Sequence, residues 1–408
     1  MPHNVVTMST VTTAPPAARD HASALEHPRS RLLSLPLALS FAAEFTSLTS
    51  FFLLLSVMPM LATAAGASST DAGLITGSLL LGTVAAEAVA ARGIQRLGYR
   101  TMIVTGAVLL GVPALALLIP EPPAVLLAVS LVRGAGFGLC GVATGALTAS
   151  LLPPDRRGEG LGLLGLVAGV PAVIALPAGV WLAGHHLSTA VAALAAVAGL
   201  LPVATVRWLP GRGEVPGAAS GTASGAHPRS RSGPALRLPL IFAGATIAAG
   251  VVDSFLPLAK GIPASLCSVA LLVQSIVATV SRWQAGRHGD RFGHARLLIP
   301  ALVVSALGLA AMLGLSSPVL VMAGMVLFGG GFGIIESATL ALMLEQLPEA
   351  QASARWNLAY DAGYGAGPAA FGLFATATGY PVAFALTGLV VLAVLPAALR
   401  ERTSATRG

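Results

Sequence analysis

Five ionisable side chains, Glu44, Arg133, Asp253, Glu336 and Asp361, stand inside long apolar runs of a chain that is only 10% charged. An ionisable group in the interior of a bilayer is costly unless paired or wetted, so it marks a substrate path or a proton relay. One arginine cannot neutralise four acids as a fixed set. Some of the acids must then carry a proton part of the time, because desolvation disfavours the charged form. An acid that releases its proton to one side and reloads from the other is the chemistry of proton coupling. Glu44 and Asp361, both set in from the same side of the membrane, suit that role best. Simpler readings stand beside it: Ser, Thr or Tyr hydroxyls hold Glu44 or Asp361, Asp253 sits in a wet entrance, and Arg133 pairs with an acid on the first or second span. Asn357, next to Trp356, lines a cavity or lies at the membrane interface, where Trp is common.

Such side chains need a scaffold that crosses the membrane many times. Of 408 residues, 55% are hydrophobic, and the mean hydropathy is +0.83. Soluble domains are about 25% charged, so an ordinary aqueous domain is excluded. The net charge of +7 does not point to nucleic acid. A nucleic-acid binder gathers its basic residues on one face, whereas here they are strung singly between apolar runs. Segments of bilayer-spanning length recur at 36–59, 71–91, 100–119, 124–151, 158–183, 187–209, 236–257, 263–284, 295–316, 318–345, 353–376 and 379–399. The pattern predicts an all-α membrane protein with twelve transmembrane helices. Cys140 and Cys267 lie in apolar segments and read as small hydrophobes without a disulfide. His185 and His186 have no companion at metal-ligand spacing, and no metal or cofactor is expected.

Residues 1–34 read as a disordered tail, and 210–235, rich in Gly, Ala, Ser and Pro, as a linker that cannot bury enough apolar surface to fold. The linker divides the spans into bundles at 35–209 and 236–400, with a short tail at 401–408. Of 22 arginines, every one except Arg133 falls on the side of the amino terminus, the linker and the carboxyl terminus, while the other side receives only Lys260. Positive charge resists translocation, so both termini and the linker are expected in the cytoplasm, in a bacterial-type plasma membrane.

The two bundles repeat one another. ARGIQRLGYRT begins at Ala91 and GRHGDRFGHAR at Gly286; GAGFGLCGVATGALTASLLP begins at Gly134 and GGGFGIIESATLALMLEQLP at Gly329. Both pairs are 195 residues apart, as expected of a duplicated six-helix unit. Two such halves suit a transporter, in which the site forms between halves and rocking exposes it to each side. The glycine strings are expected to let helices touch backbone to backbone.

GRHGDRFGHAR resembles the loop motif of the major facilitator superfamily, with Gly286, Arg287, Asp290, Arg291, Gly293 and Arg296 at its positions. Arg133 followed by GAGFG resembles the arginine-and-glycine motif of that family's fourth helix. ARWNLAYDAGYGAGPAAFG, from Ala354, is similar to the eleventh helix of proton-coupled small-molecule exporters. The resemblance implies the major facilitator fold of two pseudo-symmetric six-helix bundles and a handling role for Arg133. It also implies a latch, in which Asp290 meets the positive end of the fifth helix near Arg157 and Gly158, biasing the conformational equilibrium by about 1–3 kcal/mol. The first-half copy keeps Arg96 and Gly98 but has Ala91 for the leading glycine and Gln95 for the acid, and Glu87 is the candidate substitute. The expected function is proton-coupled efflux of a drug-like compound or metabolite by a monomer, whose partners are that small molecule, protons and lipid. The alternatives are proton-coupled import of a sugar or organic acid, and a non-transporting scaffold or sensor. No nucleophile–base arrangement suggests an enzyme, and no GxxxxGK[ST] loop suggests an ATP-driven pump.

Overall fold

The computed structural model describes residues 34–153, 156–211 and 236–405. The expected tail (1–34) and linker (210–235) therefore fall almost wholly outside the described residues. Every regular element among the described residues is a helix. In the first half these are α1 (Leu35–Leu55), α2 (Val57–Ala64), α3 (Ser69–Gly111), α4 (Pro123–Leu151), α5 (Arg157–Gly184) and α6 (Ser188–Thr205). In the second they are α7 (Arg237–Phe255), α8 (Ala264–Phe292), α9 (Ala295–Ala311), α10 (Pro318–Gln346), α11 (Glu349–Thr378), α12 (Tyr380–Ala393) and α13 (Leu395–Ala405).

Ten described stretches are long and apolar enough to cross a membrane. One of them, Ser69–Leu118, is broken at Gly98, where φ is +82° and ψ +167°, and so supplies two crossings. A further crossing is α11, whose 30 residues extend for about 45 Å at the helical rise. Its Trp, Asn, Tyr and Asp residues keep it out of the apolar set. These assignments account for all twelve expected crossings. The last helix, α13, runs on through residues 401–405, within the stretch read as tail.

Local signals explain the boundaries. Ser34 caps α1, its hydroxyl accepting from the Leu37 amide. Ser68 and Asp71 form a reciprocal capping box at the start of α3, which satisfies amides that a helix end leaves orphaned. The second-half counterpart of Gly98 is Gly293, with φ +90°, between α8 and α9. Only a residue without a Cβ enters this region freely, so both copies of the loop reverse at the same glycine. Gly286, the leading glycine of the loop motif, is an ordinary helical position on α8 whose nearest neighbour for a Cβ would be the Ser337 hydroxyl at 3.7 Å.

The duplication is also present in the packing. A Cβ on Gly134 would meet the Leu79 carbonyl oxygen, and one on Gly329 the Gln274 carbonyl oxygen. Gly136 packs on Gly106 and Gly331 on Ala301, while Gly138 packs on Thr83 and Gly333 on Ala278. Each pair of contacts differs by the sequence offset at both ends. The backbone-to-backbone approach of α3 with α4, and of α8 and α9 with α10, is one structure made twice.

Candidate functional site

Among the described residues, contact between the halves is one-sided. On the face opposite the arginine-rich loops, α3 runs antiparallel to α11: a Cβ on Gly372 would meet the Ser69 carbonyl at 2.3 Å, and one on Gly73 the Pro368 carbonyl at 2.1 Å. Hydrogen bonds join the halves there, between the hydroxyls of Ser69 and Tyr380 (3.0 Å), from Thr70 to the Gly372 carbonyl (3.3 Å), and between Thr76 and Ser254 (3.1 Å). The Ser56 hydroxyl donates to the backbone carbonyl of Asp253. A single apolar core joins Phe51, Leu55, Leu79, Leu80, Leu176 and Val180 to the second half. Towards the arginine-rich face the first half instead has apolar clusters of its own, around Tyr99, Leu147 and Leu209 and around Leu37, Phe41 and Leu152. The halves are thus sealed at one end.

The four predicted acids lie at and below this seal. Asp253, 6% exposed on α7, accepts a hydrogen bond from the Tyr364 hydroxyl of α11, while its other carboxyl oxygen has no partner among the described residues. Asp361, three residues before Tyr364, is 7% exposed and lies within hydrogen-bonding reach of Glu87 on α3 of the opposite half. Glu336 on α10 forms an ion pair with Arg282 of α8 at 2.8 Å. Glu44 on α1 is half-buried and accepts from the Thr144 hydroxyl of α4. Tyr360 lies within electrostatic reach of Glu336, Asp253, Asp361 and Arg282 together. Three of the four acids are thereby gathered around one face of α11, and Glu44 stands apart, on the first half.

Along that helix Trp356, Tyr360 and Tyr364 follow at every fourth residue. Their ring centroids are 5.9 and 5.4 Å apart, and Phe242 of α7 stacks on Trp356 at 4.5 Å. The Trp356 indole nitrogen is a buried donor without a partner among the described residues. Asn357, exposed, sits one turn from Asp361. Tyr364 is buried and Trp356 and Tyr360 are part-buried against the same core, so along this side of α11 aromatic rings and carboxyl groups lie together between the helices.

Arg133 contacts backbone carbonyls rather than the acid of the simpler reading. It is 1% exposed, and its guanidinium donates to the carbonyls of Leu110 and Ser50, tying together α4, α3 and α1. Glu87, read as a stand-in for the missing loop acid, instead faces Asp361. Sequence reasoning missed Glu87 in this role and also missed Arg282. Both lie near the ends of their spans, where charge is common, and only their equivalence across the 195-residue offset could have drawn them together.

At the arginine-rich face, Asp290 is 77% exposed and its nearest ionic neighbour among the described residues is His294, at 3.7 Å. His294 is buried between it and Glu345, which lies at 3.4 Å. The Arg287 guanidinium lies over the Trp283 ring at 4.3 Å, and Arg291, Arg296, Gln95 and Arg96 are exposed. The expected latch partner is the amino-terminal end of α5 near Arg157 and Gly158, and the Arg157 side chain lies outside what the structure describes.

A sequence profile described as Major Facilitator Superfamily matches residues 40–354 and 258–408. No curated protein matches the chain in sequence. Among solved structures, a bacterial homologue of the human lysosomal transporter Spinster, inward-facing and unoccupied, is similar with a TM-score of 0.70 at 15% identity, over 90% of this chain and 96% of that one. The inward-open xylose transporter XylE from E. coli has a TM-score of 0.69 at 15% identity, over 88% and 95%. The nucleoside transporter NupG gives 0.67 at 14%, over 89% and 99%. At these identities the likeness is one of fold.

Proposed function

Since the chain belongs to the major facilitator superfamily, we propose that it is a secondary active transporter that exports a small amphiphile in exchange for protons. It works as a monomer in the plasma membrane with both termini in the cytoplasm. The observation that carries the proposal is the one-sided seal with acids from both halves at and below it. In this reading the sealed face is external, the arginine-rich face is open to the cytoplasm, and the exposed Asp290 is a latch in its released position. A proton moving inward through a potential of 100 mV gains about 2.3 kcal/mol, enough to drive useful export. Aromatic faces and carboxyl groups favour a neutral or cationic amphiphile over an anion.

The test is transport in proteoliposomes containing a pH-sensitive dye, with a gradient imposed in either direction. Export by exchange predicts that an inward proton gradient drives compound out while protons enter. The substitutions Glu44→Gln and Asp361→Asn should each abolish proton-driven movement of the compound. Proton and compound moving together would instead support uptake, and full pH-independence of both variants and wild type would remove proton coupling altogether.

A further inference from the structure

We propose that Glu87 and Asp361 form a single shared-proton site between the two halves, and that its proton holds the external seam shut. This rests on the transporter reading above and adds to it a proton-binding residue, Glu87, and a conformational consequence.

The geometry comes from the seam itself. Ser69 meets Gly372, Gly73 meets Pro368, and Gly77 and Leu80 meet Gly365. Glu87 and Asp361 meet further along the same two helices, towards the arginine-rich face. An ionised carboxylate has acceptors only. Two carboxyl groups within hydrogen-bonding reach therefore need one proton between them, and as two anions they repel. Among the described residues the electrostatic partner of each carboxyl is the other, with no cation beside them to offset that repulsion. On the side of α4, Glu87 faces Gly138; Arg133 of the same helix is committed to the carbonyls of Leu110 and Ser50. On α10, Glu336 holds Arg282 of α8. From α7 the nearest acid is Asp253, occupied by Tyr364, and from α1 it is Glu44, occupied by Thr144. Tyr360 on α11 is neutral, and α6 and α12 bring no acid or base within their helical spans apart from Tyr380. The pair can be uncharged, or share one negative charge through a proton; it cannot stay together without one.

The step balances simply. Loss of the proton to the open side leaves two anions at the inner end of the seam, which separates them and unseals the external face. Protonation from outside rejoins them. The proton is taken up outside and released inside, without any other reactant.

The experiment attaches spin labels to Ala65→Cys and Thr378→Cys, both exposed at the sealed face, in the full chain reconstituted in lipid nanodiscs. Cys140 and Cys267 are buried. The label distance in wild type should be short at low pH and lengthen as pH rises. In Glu87→Gln the amide donates to Asp361 without needing a proton, so the distance should stay short across the whole range; Asp361→Asn should behave likewise. Should either variant misfold, the other carries the test. If both keep the wild-type pH dependence while still coupling transport to protons, the shared site is wrong and the transporter reading stands. If wild type neither moves with pH nor couples transport to protons, the transporter reading fails first.

Discussion

Residues related by the 195-residue offset have the same backbone job and opposite chemical jobs. Gly98 and Gly293 both turn the loop; Gly134, Gly136 and Gly138 seat α4 as Gly329, Gly331 and Gly333 seat α10. The side chains diverge where charge is concerned. Glu87 corresponds to Arg282, Gly141 to Glu336, and Arg133 to Phe328. The second half therefore contains its own ion pair, Arg282 with Glu336, while the first half has an acid facing a glycine. With no counter-charge on its own side among the described residues, Glu87 reaches across to Asp361. The duplication kept the frame and made the halves unequal, and the inequality places a titratable contact between them.

The largest effect should come from breaking the shared frame. A Cβ on Gly134 would stand 1.8 Å from the Leu79 carbonyl oxygen, and one on Gly329 2.5 Å from that of Gln274. Gly134→Ala should destabilise the protein by about 1–3 kcal/mol, and Gly329→Ala by less, read as thermal unfolding in detergent. Gly141→Ala, with nothing within 4 Å, should be neutral. Equal stability of all three would mean that the close helix packing is not needed.

A smaller effect should follow from unbalancing the second half. Arg282→Gln leaves Glu336, 12% exposed, without its counter-charge. Stability should fall by about 1–2 kcal/mol, discounted because the arginine is half exposed, with a matching loss of transport. Adding Glu336→Gln should recover most of both. A double variant worse than the single one would assign Glu336 a role beyond the pair.

The smallest effect concerns the loops. Asp290→Asn should lower transport roughly five- to tenfold, a coupling of the usual size, with the amount of protein in the membrane unchanged. Gln95→Asp, which restores the acid to the first-half copy, should change transport by about twofold or less. A larger effect from Gln95→Asp than from Asp290→Asn would reverse the assignment of the working latch.

Much of the frame was legible because it obeys simple periods. Apolar runs of bilayer length gave the crossings, and two motif pairs at one offset gave the repeat before any contact was known. The site was legible only in part. Asp253, Glu336 and Asp361 stood out as acids in apolar surroundings, but their partners did not. Arg282 reads as one more arginine on the positively charged side, and Glu87 as a charge near a loop. Arg133 was the hardest to read: its partners are backbone carbonyls, which every residue supplies, so no pattern of side chains could distinguish a proton handler from a staple between three helices. That Glu87 meets Asp361 depends on two antiparallel helices from different halves, a relation without local periodicity.

The central claim is that the halves rock, one face closing as the other opens. It is tested most directly by measuring two distances in one preparation, between labels at Ala65 and Thr378 on the sealed face and at the equivalent positions Ala149 and Leu344 on the arginine-rich face, all exposed. The account predicts opposite changes as pH is raised, the first distance growing while the second shrinks. Both distances moving together, or neither moving while transport proceeds, would contradict it.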